Sequence, residues 1–305
     1  MAISPDQKIA VVICTASYHT PAPYGPFMEA LTSHGLFETY CPQRATCDLS
    51  KLNVGDDLQH PDFNRDPPAG GYPNDLDDVK IVHELLDKLI NQENKLVLLL
   101  GHSSGGLVAT QAAIPELQFK NRGTQKGGVI GIFYVAGFLV PVGESVHSFF
   151  QPKDGSWRVP PFVQFYVCMP LGPCDMSLSR TLTCCIQKNG RDGLATTKET
   201  AQYMFKGLDD PQAVEKWTAT LTASPVNTGA LTNDAYAAVP CAYVVLDEDT
   251  CLPPAYQEKM IAMHAQRESV NFKVYHAPTG HSPHLSWMEG LVRTVVEFTE
   301  EVRQV

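Results

Sequence analysis

The sequence lacks the features by which a membrane-spanning, nucleic-acid-binding or zinc-binding protein is recognised. No apolar run approaches the roughly 18 residues that a membrane-spanning helix needs. Basic residues form no cluster, and a net charge of -10 at pH 7 disfavours nucleic acid as a partner. No Cys-x-x-Cys pair occurs among the nine cysteines, so we expect neither a metal ion nor another cofactor.

The chain also lacks a recognisable secretory signal. The opening residues, MAISPDQKIAVVIC, pass from a polar start directly into a strand-like run, without a basic region or a cleavage site. The nine cysteines are odd in number and irregularly spaced, which indicates reduced thiols and a cytoplasmic protein. Apolar residues make up 44% of the 305 positions, which is enough for one large domain with an inserted subdomain.

Strand-like and helix-like segments alternate over most of the chain. Apolar runs typical of buried strands cover residues 8–14, 37–42, 95–100, 127–136, 240–247 and 271–277. Helices are expected at 23–34, at 75–92 with an acidic first turn, from 104, at 254–267 and at 283–303. This alternation predicts an α/β fold, in which a parallel sheet carries helices on both faces. Residues 43–74, rich in Pro, Gly and Asp, are expected to form a long surface loop.

Residues 141–238 interrupt the alternation. They contain prolines, aromatic residues, four cysteines and helical stretches, but no clear strand. We therefore expect a helical cap subdomain at 141–238, inserted into a core formed by residues 1–140 and 239–305.

The segment Gly101-His102-Ser103-Ser104-Gly105 joins a buried strand to a helix and fits the Gly-x-Ser-x-Gly pattern of a nucleophile elbow. At such a corner the strand and helix approach closely, so the positions two before and two after the nucleophile are glycine. Ser103 has glycine at both positions, whereas Ser104 has a histidine two positions before it, so Ser103 is the candidate nucleophile. The alternative is a plain glycine-rich turn, such as one that binds phosphate.

A serine hydroxyl is a weak nucleophile and needs a histidine as its general base. His281 is the candidate, because it lies in a Gly-His-Ser-Pro turn between the last predicted strand and the last helix. His284 competes with it but falls in the first helical turn. His276 lies inside the strand pattern, where a structural role fits better.

The base needs an acid that orients it. The segment after the strand at 240–247 offers Asp247, Glu248 and Asp249. Asp249 is favoured because it falls on the crest of the loop, whereas Asp247, the second choice, still belongs to the strand.

The oxyanion that develops during acyl transfer needs two backbone N–H donors. Ser104 is expected to supply one, at the start of the helix, and Ala16 or Ser17 the other, from the loop after the first strand. His19 and His102 are candidates for pocket or packing roles. Further candidate pocket residues, aromatic or apolar and drawn from the cap, are Phe149, Phe150, Trp157, Phe162, Phe165, Tyr166 and Met169.

Four stretches together resemble the α/β-hydrolase superfamily: SYHTPAPYGPFMEAL, GHSSGG, DEDTCLPPAYQ and GHSPHLSWMEGLV. They are most similar to the small esterase branch that includes plant methylesterases and hydroxynitrile lyases, together with its fungal relatives. The hydroxynitrile lyases carry a lysine next to the catalytic histidine. Ser282 stands there in this chain, which argues against cyanohydrin cleavage.

The pattern favours a serine hydrolase that acts on an ester, thioester or lactone of an apolar or aromatic small molecule, through Ser103, His281 and Asp249. One alternative is a lyase or cyclase that uses the same serine and histidine as a proton shuttle. Another is a non-catalytic ligand-binding protein with the same fold, because function depends on the site and not on the fold.

Overall fold

The computed structural model describes residues 7–154, 156, 158–166 and 193–304. Nine strands occur in this part of the chain: β1 (Ile9–Cys14), β2 (Phe37–Tyr40), β3 (Leu96–His102), β4 (Gly128–Val135), β5 (Val163–Tyr166), β6 (Leu194–Thr197), β7 (Ser224–Pro225), β8 (Cys241–Leu246) and β9 (Phe272–Ala277). Six of them form one parallel sheet in the order β2-β1-β3-β4-β8-β9. Strands β1, β3, β4 and β8 are buried along their whole length, as apolar strands covered on both faces are.

The helices of the described residues are α1 (Gly25–Ser33), α2 (Asp75–Leu86), α3 (Gly105–Ala112), α4 (Val146–Phe150), α5 (Thr200–Tyr203), α6 (Pro211–Thr218), α7 (Pro254–Ala265), α8 (Pro283–Ser286) and α9 (Met288–Gln304). Helix α2 continues as a π-helical segment over Asp87–Gln92. Helix α1 contacts α8 and α9, and α2 contacts α3. The predicted α/β fold with a parallel sheet is confirmed, although the last predicted helix is divided into α8 and α9 at Trp287.

The interval 141–238 contains strands, contrary to the expectation from the sequence. Strands β5, β6 and β7 form a separate antiparallel sheet in that order, accompanied by helices α4, α5 and α6. These strands are two to four residues long, which is too short for a period of two to be recognised in the sequence.

The segment 43–74 is not wholly a surface loop. It begins with two short 3-10 helices, Ala45–Cys47 and Leu49–Lys51, and its first residues are buried, including the charged side chain of Arg44. Leu52 and Val54 join Leu194 and Ala223 in a second, small hydrophobic cluster. The expectation failed because residues far apart in the sequence supply the apolar partners of this segment.

Among the described helices, not one combines the length with the apolar character required to span a bilayer.

Candidate active site

Ser103 occupies the sharp corner between β3 and α3. Its φ of +53° lies in the left-handed region, which costs a non-glycine residue roughly 1–2 kcal/mol. Backbone hydrogen bonds hold this conformation: the Ser103 N–H donates to the Val135 carbonyl (3.1 Å), and the Ser103 carbonyl accepts from the Phe138 N–H (2.9 Å). The strained residue is the one whose side chain lines the adjacent cavity as the candidate nucleophile.

The two glycines of the elbow leave no room for a side chain. A Cβ on Gly105 would lie 2.1 Å from the Cys14 carbonyl oxygen, and one on Gly101 would lie 2.8 Å from the Gly106 Cα. Both distances are far inside van der Waals contact, so the close approach of strand and helix requires glycine at these positions.

The structure pairs His281 with Asp249. The His281 Nδ1–H donates to Asp249 Oδ2 over 2.7 Å, and the two side chains are almost completely buried. The other oxygen of the carboxylate, Oδ1, accepts the backbone N–H groups of Cys251 (2.8 Å) and Leu252 (3.0 Å). These bonds hold the carboxylate against the imidazole and leave His281 Nε2 as the nitrogen available for proton transfer.

The competing residues lie elsewhere. Asp247 pairs with His276 over 2.8 Å, but both side chains are about half exposed and neither lines the cavity that holds Ser103. His284 is buried and stacks on the Tyr24 ring, with ring centroids 4.2 Å apart. Of the alternatives weighed from the sequence, Asp249 and His281 are thus the two that meet beside the elbow.

A cavity of about 220 Å³ contains both Ser103 and His281 in its lining. Its walls are mainly apolar and include Phe138, Phe150, Phe162, Phe165, Met204 and Leu252. Of the candidate pocket residues, Phe150, Phe162 and Phe165 line the cavity, whereas Phe149 and Tyr166 do not. Trp157 and Met169 fall outside the described residues.

His19 and His102 do not line the cavity, so their candidate role as pocket residues is not supported by the geometry. Both are buried: the His19 Nδ1–H donates to the Ser17 carbonyl (2.8 Å), and the His102 Nε2–H donates to the His281 carbonyl (2.8 Å). With His284 they form a buried histidine cluster. Burial lowers the pKa of His19 to about 4 and holds the pKa values of the other two well below the usual range, so all three are neutral at pH 7.

A chain of hydrogen bonds fixes the loop that follows β1. Because His102 donates from Nε2, its Nδ1 accepts from the Tyr24 hydroxyl (2.6 Å), whose oxygen in turn accepts the Ala16 N–H (3.0 Å). The Ala16 N–H is therefore occupied and unsuited to an oxyanion. Ser17, the other candidate, lines the cavity.

Sequence reasoning missed a buried cation beside the elbow. Arg44 is 2% exposed and donates to the Asp78 carboxylate, to the Thr15 carbonyl and to the Ser104 hydroxyl, each over 2.8 Å. Asp75 lies 3.5 Å from the same guanidinium, and burial raises the pKa of its carboxyl to about 6. The acidic residues Asp75 and Asp78 were visible in the sequence as possible partners of a buried cation. Acidic side chains at the start of a helix are, however, already explained by the helix dipole.

Three side chains of the site are close enough together to be tested as metal ligands, because ligand atoms of Asp249, Cys251 and His281 lie within 4.8 Å of one another. Metal binding requires a thiolate, and burial raises the pKa of the Cys251 thiol well above its usual range. Asp249 and His281 already bond each other, so the set fits an acid–base pair better than a metal centre.

Comparisons with known proteins identify the family and the fold. A sequence model of the "Alpha/beta hydrolase family" matches residues 11–294. The "Alpha/beta hydrolase nvfD" of Aspergillus novofumigatus (strain IBT 16806) is 22% identical over 247 residues, which cover 80% of this chain and 85% of that protein.

Solved structures with the same fold include tomato methylketone synthase I complexed with 2-tridecanone, with a TM-score of 0.64, 14% identity and coverage of 97% of this chain and 99% of that one. Polyneuridine aldehyde esterase gives a TM-score of 0.61 and 13% identity, with coverage of 95% of this chain and 99% of that one. The resemblance to the α/β-hydrolase superfamily is confirmed, and the likeness to the two plant enzymes shows a shared fold. The chain belongs to the alpha/beta hydrolase family.

Proposed function

We propose that the protein is a serine hydrolase that cleaves an ester, thioester or lactone of an apolar or aromatic substrate. The observation that carries the proposal is the buried pair of Asp249 and His281, whose imidazole opens on the same cavity as the Ser103 hydroxyl. Acyl transfer requires a serine nucleophile and a general base held in the correct orientation, and both lie here beside an apolar cavity.

In the proposed reaction the Ser103 hydroxyl attacks the substrate carbonyl carbon while His281 Nε2 takes the hydroxyl proton. Asp249 keeps the imidazole oriented and stabilises its charged form. The oxyanion is bound by the backbone N–H groups of Ser17 and Ser104. Collapse of the tetrahedral intermediate breaks the bond to the leaving group, which receives the proton from His281. Water, activated by the same histidine, then hydrolyses the acyl-enzyme and restores Ser103.

The substrate class follows from the cavity. Its volume of about 220 Å³ corresponds to roughly seven water molecules at about 30 Å³ each, which suits a short acyl chain or one aromatic ring. Arg158 is the one lining residue with a full charge among the described residues, so neutral or anionic substrates are favoured over cationic ones. We propose that residues 141–238 form the cap over this cavity, since Phe150, Phe162 and Phe165 belong to its wall.

Labelling with a fluorophosphonate probe tests the nucleophile. The wild type should be labelled, Ser103→Ala should not, and the exposed-site control Ser33→Ala should be labelled like the wild type. In parallel, Ser103→Ala should reduce the hydrolysis of short p-nitrophenyl esters by about 10⁴-fold or more. Labelling of Ser103→Ala, or a wild type that is neither labelled nor active, would overturn the proposal.

Product analysis separates hydrolysis from other chemistry on the same residues. A hydrolase releases the free acid from esters and from acyl thioesters. A wild type that is labelled at Ser103 but yields only elimination or cyclisation products would instead be a lyase or cyclase.

A further inference from the structure

The buried guanidinium of Arg44 contacts the residue that follows the nucleophile. Its Nη1 donates to Ser104 Oγ over 2.8 Å, while its Nε is held by Asp78 over 2.8 Å. A guanidinium has donors but no acceptor and stays charged in proteins. Ser104 Oγ is therefore an acceptor in this contact, and it lies against a full positive charge.

The hydrogen of the Ser104 hydroxyl has one available acceptor among the described residues. Ser104 is completely buried, and its Oγ lies 2.8 Å from Ser17 Oγ. If Ser17 were the donor, the Ser104 hydroxyl hydrogen would be buried without a partner, at a cost of about 1–3 kcal/mol. The Ser104 hydroxyl therefore donates to Ser17 Oγ.

Ser17 Oγ accepts a second hydrogen bond, from Asn227 Nδ2 over 3.0 Å. A hydroxyl oxygen has two acceptor sites, so both are now occupied. The hydrogen of the Ser17 hydroxyl has to point away from these two partners. Ser17 lines the cavity together with Ser103 and His281, so the cavity is the direction left for it.

We propose that the Ser17 hydroxyl is a third donor to the oxyanion, in addition to the backbone N–H groups of Ser17 and Ser104. Arg44 polarises it through the Ser104 hydroxyl, in the order Arg44, Ser104, Ser17, oxyanion. No proton leaves its oxygen in this relay, because each group donates one hydrogen bond to the next. The inference rests on the proposed acyl transfer, and it makes Ser17 a catalytic residue and the side chains of Arg44 and Ser104 positioning residues.

The physical benefit is that the positive charge of Arg44 acts on the oxyanion while its guanidinium stays outside the cavity lining. Hydrogen bonds that are polarised in series are stronger than isolated ones. Removal of one oxyanion donor typically costs 10²–10³ in kcat, which sets the upper limit for the effect.

The Ser17→Ala variant removes the hydroxyl and keeps the backbone N–H. We expect kcat/KM for p-nitrophenyl butyrate to fall about 10-fold to 100-fold, mainly through kcat, with KM within about 2-fold. The melting temperature should fall by a few degrees, because the Ser104 hydroxyl and the Asn227 amide lose their acceptor, but unfolding should stay cooperative. Ser17→Thr, which keeps a hydroxyl, should retain most of the activity. The control Thr299→Val removes a buried hydroxyl on α9, away from the cavity, and should leave kcat/KM unchanged.

The relay itself is tested by combining variants. Ser104→Ala alone should lower kcat by about 5-fold or more. In the Ser17→Ala background the Ser104→Ala substitution should change kcat by less than about 2-fold, because the Ser17 hydroxyl that links Ser104 to the oxyanion is already absent. Arg44 is left intact, since its loss would leave the carboxylate of Asp78 buried and unpaired.

The outcomes distinguish this inference from the proposed function. A wild type that is active and labelled at Ser103, with Ser17→Ala within about 3-fold of it in kcat/KM, refutes the third donor alone. Additive effects of Ser17→Ala and Ser104→Ala refute the relay. A wild type without labelling and without hydrolysis refutes both the proposed function and this inference.

Discussion

Replacement of Asp249 by asparagine is the sharpest test of the Asp249–His281 pair, because the structure dictates how the new amide has to orient. Asp249 Oδ1 accepts two backbone N–H groups, so only the amide oxygen of an asparagine fits there. The amide nitrogen then faces His281 Nδ1 in place of Oδ2. Since that nitrogen is a donor, Nδ1 becomes an acceptor, and the neutral imidazole carries its hydrogen on Nε2. A histidine in this tautomer is unable to take the Ser103 proton.

The magnitude follows from that tautomer change. In a serine hydrolase with the wrong histidine tautomer, kcat falls by about 10⁴-fold, which is about 5 kcal/mol of activation free energy. We expect Asp249→Asn to show this loss in the hydrolysis of p-nitrophenyl butyrate while keeping a cooperative thermal unfolding transition.

The matched control is Asp247→Asn, which breaks the half-exposed pair with His276. An exposed ion pair contributes about 0–1 kcal/mol to stability, and this one lies outside the cavity, so activity should be unchanged. The reasoning is refuted if Asp249→Asn keeps more than a tenth of the wild-type kcat/KM, or if Asp247→Asn loses as much as Asp249→Asn.

Three further predictions concern stability. Acid should destabilise the fold through the buried histidine cluster, because below pH 6.5, the approximate pKa of a histidine in the unfolded chain, the unfolded state binds more protons than the folded state. Each histidine then lowers the free energy of unfolding by about 1.4 kcal/mol per pH unit, down to about pH 4 for His19. The raised pKa of Asp75 acts in the opposite direction and offsets part of this loss. Urea unfolding that gives equal stability at pH 7.5 and pH 5 would contradict it. Gly105→Ala should lower stability by about 3 kcal/mol or prevent folding, because its Cβ meets the Cys14 carbonyl, whereas Gly25→Ala, with nothing within 4 Å, should not lower the melting temperature. Tyr24→Phe should cost about 2 kcal/mol in urea unfolding, since it leaves the Ala16 N–H and His102 Nδ1 without partners, and an unchanged midpoint would be inconsistent with that hydrogen-bond chain.

The sheet was predictable because four of its six strands, β1, β3, β4 and β8, are fully buried and therefore appear as short apolar runs. All six predicted strands differ from the observed bounds by no more than two residues at either end. The three strands of the interval 141–238 were missed because each has two to four residues and pairs with a partner that is distant in the sequence, as β5 does with β6.

The candidate site likewise has features that could be predicted from the sequence and features that could not. The elbow was recognisable because its strand, its two glycines and its helix follow one another in the sequence, although the contact that requires Gly105 is made with the distant Cys14 carbonyl. The choice between Ala16 and Ser17 was not, since it depends on the Tyr24 hydroxyl that occupies the Ala16 N–H. The sequence left His19 and His102 with either a pocket or a packing role, because the tertiary hydrogen bonds that hold both in the interior appear in no local pattern.

The sequence by itself determined the parallel sheet, the corner that carries Ser103, and the loops that hold Asp249 and His281, because the apolar runs and the Gly-x-Ser-x-Gly pattern each span only a few neighbouring residues. Only the tertiary structure decided that Arg44 is buried beside the elbow, since its partner Ser104 is 60 positions away, and that Asn227 bonds Ser17 across 210 positions. A buried charge or hydroxyl is tolerated only where distant groups satisfy it, so its role is defined when the chain has folded and not before.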